Sequence, residues 1–273
     1  MGICEIFSYG FVQRALLAGI IIAAISAILG VFLVLRRLSL IGDGLAHITF
    51  GSVAFVLLLG FSPFYITLAA LPIVMLSSLA ILKLMHTKRI QGDAAIGILS
   101  SIGIAAGIIL VSFSGGYNVD LFSYLFGNIL TVNKTELLLS FIVFLIVLGS
   151  IIFFYSDLFA VTFDEELAQS IGVKTRRINL ILFLLTAVTV VLAMKITGIM
   201  LVSAMLILPP ITALQLSFSF RMTIIASVCF AVLSVLSGII FSFLLNLPAG
   251  GTIVIFNAVF LLIVFGTKKI LHF

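Results

Sequence analysis

Asp43 and His47 stand four residues apart in Ser39-Leu40-Ile41-Gly42-Asp43-Gly44-Leu45-Ala46-His47, within an otherwise apolar stretch. Nine acidic residues and three histidines serve all 273 positions, so two of them meeting in one hydrophobic segment needs a reason. At i,i+4 spacing both side chains project from the same face of a helix. A carboxylate with an imidazole suits a borderline divalent cation such as zinc or manganese. Ionisable groups at membrane depth are costly and usually mark an ion or proton path. The competing reading is a hydrogen-bonded pair that pins this helix to a neighbour. Two ligands cannot close a tetrahedral metal shell, so the cation reading expects a second copy of the chain to bring another pair. Gly42 and Gly44 flank the aspartate and allow either close backbone approach or an unwound helix start.

The rest of the chain carries little chemistry. His86 lies in a basic loop and His272 near the end, and both read as solvated residues. Asp93 reads as a helix cap, Lys195 as a snorkelling cation, and Asn257 and Gln215 as path-lining or cross-helix groups. Cys4 and Cys229 are too far apart in sequence to form a recognisable framework or metal motif. No Gly-rich phosphate loop ending in Gly-Lys-Ser/Thr occurs, no His-Glu-x-x-His, and no evident nucleophile triad. Enzymatic hydrolysis and nucleic-acid binding therefore lack support, and transport remains.

With 63% hydrophobic and 8% charged residues and a mean hydropathy of +1.46, the chain is an all-α, polytopic membrane protein and a single domain over 1–273. Nine spans are expected, near 13–35, 40–60, 64–84, 94–113, 135–156, 178–196, 198–217, 222–246 and 250–267. An eight-span count is the alternative, because the seventh segment runs into Pro209-Pro210. No basic region followed by a cleavage site opens the chain, so no removable signal peptide is expected. With the N-terminus outside, the inner loops hold Arg36, Arg37, Lys83, Lys88, Arg89, Lys174, Arg176, Arg177, Arg221, Lys268 and Lys269. That leaves only Arg14, Lys134 and Lys195 toward the outside. The asymmetry predicts N-out and C-in. Gly103 and Gly107, with Gly97 and Ser101 at the same spacing, predict close helix approach in the fourth span.

Two connections exceed simple turns. The outer one, 114–134, holds an amphipathic, aromatic run from Asp120 to Asn128. The inner one, about 157–177, contains Thr162-Phe163-Asp164-Glu165-Glu166-Leu167-Ala168-Gln169-Ser170-Ile171-Gly172. Thr162 or Asp164 is a candidate N-cap there, acids crowd the first turn, and Gly172 fits a C-terminal stop.

Four blocks in order resemble the zinc/manganese-type permease family of ATP-binding-cassette (ABC) importers. They are Gly42-Asp43 through His47, Asp120 to Asn128, Phe163 to Ala168 with Gly172, and Thr197-Gly198 through Pro209-Pro210. The resemblance spans essentially the whole chain. It implies an ABC importer permease fold in the bacterial cytoplasmic membrane. It also implies pairing with a second permease copy, with cytosolic ATPase subunits and with an extracytoplasmic metal-binding protein. By position, Asp43 and His47 become the metal-path ligands. Asp164, Glu165, Glu166, Leu167, Ala168 and Gly172 become the ATPase-coupling helix. No permanent cofactor is implied; the divalent cation is cargo. Many relatives carry Ser before the histidine and Leu-Pro-Gly after it, where this chain has Ala46 and Ile48-Thr49-Phe50-Gly51. The Gly-Asp-Gly-Leu-Ala-His form is closer to zinc-type members, which favours zinc over manganese. A gradient-driven cation transporter or channel without an ATPase is the rival.

Overall fold

The computed structural model describes residues 10–61, 65–85, 92–113, 124–127 and 133–270. Every long regular element among them is helical. In chain order these are α1 (Gly10–Leu35), α2 (Ile41–Leu58), α3 (Ile66–Met85), α4 (Gly92–Phe113), α5 (Lys134–Phe153), α6 (Tyr155–Phe163) and α7 (Glu165–Ser170). They continue with α8 (Thr175–Thr197), α9 (Val202–Leu214), α10 (Phe220–Leu245) and α11 (Ala249–Ile270). Eight of them are long and apolar enough to cross a bilayer. α1, α2 and α8 are mostly buried and form the centre of the bundle, whereas α3, α4, α5, α10 and α11 present broad apolar faces outward. A helix needs no polar outer face when lipid is its solvent.

The seventh expected segment is the short ninth crossing. Gly198, at φ +82° and ψ 150°, breaks the chain after α8 in a region that residues with a Cβ avoid. A 3₁₀ turn, Ile199–Leu201, leads into the 13-residue α9, and together they span roughly 25 Å. One end lies against Gly127 and Gly250 through the Ile196–Gly198 backbone. The other leads to Phe220, whose ring meets Phe32, Tyr155, Phe159 and Phe163. Residues 198–219 thus run from one end of the bundle to the other. Among the described residues nine helical segments thus traverse the bundle, which puts Gly10 and Ile270 at opposite ends. The end carrying Arg36, Arg37, Lys174, Arg176, Arg177 and Arg221 is the cytoplasmic one by its charge.

Pro209 and Pro210 sit inside α9. Pro210 has no N–H for the carbonyl four residues back, that of Leu206. That carbonyl lies against Gly30 of α1, so close that a Cβ there would collide with it. A missing hydrogen bond and a missing side chain therefore coincide where α1 and α9 touch.

α2 and α4 lie side by side and run in the same direction. Gly44 meets Ile96, Gly51 meets Gly103, and Gly107 meets the Phe50 ring. The expected Gly103/Gly107 contact is present. Gly97 has no heavy atom within 4 Å of a built Cβ, and Ser101 is exposed. The second small-residue pair thus lies on the open face, roughly a third of a turn from the contact. Asp93 is also not a cap: α4 already begins at Gly92, and Asp93 stands in its first turn.

The inner connection carries two helices rather than one. α6 continues almost directly from α5 and is wedged by the aromatic cluster around Phe220, with Arg221 stacked 5.3 Å over Tyr155. Asp164 then caps α7, its Oδ1 accepting the Leu167 N–H at 2.9 Å. The same residue closes α6. Thr162 bonds instead to Leu158 O within α6. α7 ends as expected at Gly172, φ +93°. There the Val173 N–H bonds Ala168 O and the Gly172 N–H bonds Gln169 O, the paired closure of a Schellman motif.

Candidate functional site

α2 is buried along almost its whole first half, and the exceptions are Asp43 and His47. Both glycines beside the aspartate are contact points, and α2 stays helical from Ile41 onward. A Cβ on Gly42 would lie 2.6 Å from Leu206 of α9, and one on Gly44 would lie 2.5 Å from Ile96 of α4. Helix start unwinding, one of the two expectations for these glycines, is absent. Successive residues turn about 100°, so Asp43 projects midway between α4 and α9 and His47 follows on the same stripe. The pair occupies an open groove with α2 as floor and α4 and α9 as walls.

His47 Nε2 is 3.3 Å from Asp43 Oδ2, with side-chain exposures of 23% and 47%. His47 stands about 9 Å along α2 from its first residue, at ~1.5 Å per residue. Its backbone carbonyl lies beside Gly103, so α4 holds the imidazole's segment directly. No group of three or more His, Cys, Asp or Glu side chains that could hold a metal occurs among the described residues. Asp43 and His47 thus bring one carboxylate oxygen and one ring nitrogen together on a single stripe of α2.

Asn257 takes the cross-helix role of the two expected for it. It is buried and donates to Ile253 O and toward the Met205 sulfur of α9 at 3.5 Å. Gln215 closes α9. Cys229 is a free thiol on α10. Cys4, His86, His272 and Asp120 through Ser123 with Asn128 lie outside the described residues.

The six residues of the coupling segment divide by direction. Glu166, Leu167, Asp164 and Gly172 are exposed, in a strip that also bears Phe163 and Ile171. Ala168 is buried, and Glu165, with its side chain 42% exposed, reaches back to the membrane helices. Glu165 Oε2 accepts from Arg36 Nη2 at 3.1 Å, and its Oε1 accepts from Asn179 Nδ2 at 2.8 Å. Burial draws the Arg36 pKa down, while the charge and hydrogen bond of Glu165 push it back up; the guanidinium stays charged at any physiological pH. By sequence position Arg36 reads as a loop charge and Asn179 belongs to no motif. The available signal was a lone amide in the first turn of an apolar span.

The profile of the ABC 3 transport family matches residues 8–268. The chain belongs to this family. As an ABC 3 family member it resembles the manganese transport system membrane protein MntC of Halalkalibacterium halodurans, 36% identical over 92% of this chain and 85% of that protein. It also resembles the high-affinity zinc uptake system membrane protein ZnuB of Haemophilus influenzae, 32% identical over 94% and 97%. Among solved structures, PsaBC from Streptococcus pneumoniae in complex with Fab superposes with a TM-score of 0.85 at 32% identity, covering 97% of this chain and 95% of that one. This ABC 3 family chain is thus a multi-pass permease subunit of an ABC-type metal transporter in the bacterial inner membrane. ATP hydrolysis belongs to a separate subunit.

Proposed function

We propose that the chain carries a divalent transition-metal ion inward through a path formed by two permease copies, with Asp43 and His47 of each copy as ligands. The observation that carries this is the half-shell in the open groove: two candidate ligand atoms 3.3 Å apart and partly exposed on the otherwise buried first half of α2. A carboxylate facing acyl chain is disfavoured, so a groove holding Asp43 in the first turn of α2 is better covered by protein than by lipid. A second copy supplies both the cover and the missing donors, making two carboxylates and two imidazoles. That set fills a tetrahedral zinc shell; manganese would accept it with added oxygen ligands. Zinc is therefore the favoured cargo and manganese the alternative. Because the shell assembles only when both halves converge, the ion can be held and then released.

The exposed strip of α6 and α7 is the surface for the cytosolic ATPase, and an extracytoplasmic metal-binding protein delivers the ion at the opposite end. The test is uptake by the complex reconstituted in vesicles, with Zn²⁺, Mn²⁺ and Fe²⁺ competing. ATP-dependent uptake is expected, and Asp43→Asn or His47→Ala should abolish it while leaving complex assembly intact. Undiminished uptake in both variants removes the site. Metal movement by the permease without ATPase or ATP replaces the proposal with a gradient-driven transporter.

A further inference from the structure

Glu165 is a carboxylate whose two oxygens bind two different membrane elements. Arg36 belongs to the turn between α1 and α2, and Asn179 to the second turn of α8. Arg36 is 8% exposed at its side chain and Asn179 4% exposed overall. Arg36 Nη1 and Asn179 Oδ1 are buried with no partner. Both residues line an open cavity of about 590 Å³, with Arg37, Leu82, Thr162 and Phe183 among its other walls. Both residues adjoin this free volume, so the network around Glu165 has room for a second arrangement.

The turn carrying Arg36 is stiff. Arg37 holds φ +58°, Leu38 N bonds Leu33 O, and Arg37 N bonds Val34 O, so α1 ends in a closed Schellman motif. Ile41 N then bonds Leu38 O and starts α2 at once. Asp43 follows seven residues after Arg36, with no slack between them. A displacement of α7 that drags Glu165 therefore drags the foot of the helix bearing Asp43 and His47.

We propose that Glu165 is a positioning residue, a latch through Arg36 and Asn179 that delivers movement of α7 to the metal ligands of α2. The latch rests on the reading of α7 as the ATPase-facing helix and of Asp43 and His47 as the path. A bridge that merely stabilised the fold would change the amount of protein, not the metal moved per ATP.

The experiment uses the full complex in vesicles, reading metal uptake and ATP hydrolysis together per co-purified ATPase. Glu165→Ala is expected to lower metal moved per ATP at least tenfold, and the exchange Arg36→Glu with Glu165→Arg to restore at least half of it. Where Glu165→Ala yields no complex, Glu165→Gln keeps the side chain's size while losing its charge, and is read by the same tenfold criterion. A smaller fall, or an exchange that restores nothing, overturns the latch. Asp43→Asn in the same vesicles separates the two ideas. Normal uptake there sinks the underlying path, whereas abolished uptake beside an unchanged Glu165 variant sinks the latch alone.

Discussion

Gly51→Ala tests whether the α2–α4 contact sets the geometry of the groove. A Cβ on Gly51 would stand 2.5 Å from the Gly103 carbonyl oxygen, where ordinary contact begins near 3.4 Å. The obstruction is backbone against backbone, so no rotamer relieves it, and the two helices must part by about 0.9 Å. Overpacking of this kind costs about 1–3 kcal/mol, which corresponds to roughly 2–12 °C in melting temperature. Gly103 also abuts the His47 carbonyl and Ile48, so the parting moves one wall of the groove against the imidazole's own segment. Misplacement by about 1 Å costs up to ~100-fold where several groups must converge, and uptake should fall about tenfold or more. Gly97→Ala is the matched control. It sits on α4 in open space, and there alanine should stabilise the helix by up to ~1 kcal/mol. Thermal unfolding of the purified complexes and uptake normalised to permease abundance read both variants. Equal behaviour of the two alanines would refute the account.

Gly198→Ala should destabilise by about 1–3 kcal/mol, because φ +82° with ψ 150° excludes a side chain; Asn246→Gly, at an ordinary left-handed helix end, should be nearly neutral in the same melt. Asp164→Ala removes the cap of the six-residue α7. The loss of about 1 kcal/mol should weaken ATPase association about fivefold in a pull-down titration, and unchanged affinity would exclude α7 as the docking helix.

Residue order alone located the long spans, the cytoplasmic end, the i,i+4 pairing of Asp43 with His47 and the Gly172 stop of α7, and it narrowed the cap of α7 to Thr162 or Asp164. All of these are local: they depend on helical periodicity, on charges adjacent in sequence, or on backbone groups within one turn. The tertiary structure decided what lies beside what. It buried Ala168 and tied Glu165 back to Arg36 and Asn179 while Glu166 and Leu167 faced out, and it left Gly97 and Ser101 on an open face. It also joined Arg36 to a glutamate 129 residues away and carried a 13-residue helix through as a full crossing. The reason is that in a membrane the outward and inward faces of a helix are equally apolar. Hydrophobic patterning, which orients a helix in water, leaves its rotation and its neighbours open. Steric gaps at glycines such as Gly44 and Gly51, the carbonyl freed by Pro210, and a few buried polar pairs settle them instead, and those act only once the helices have met.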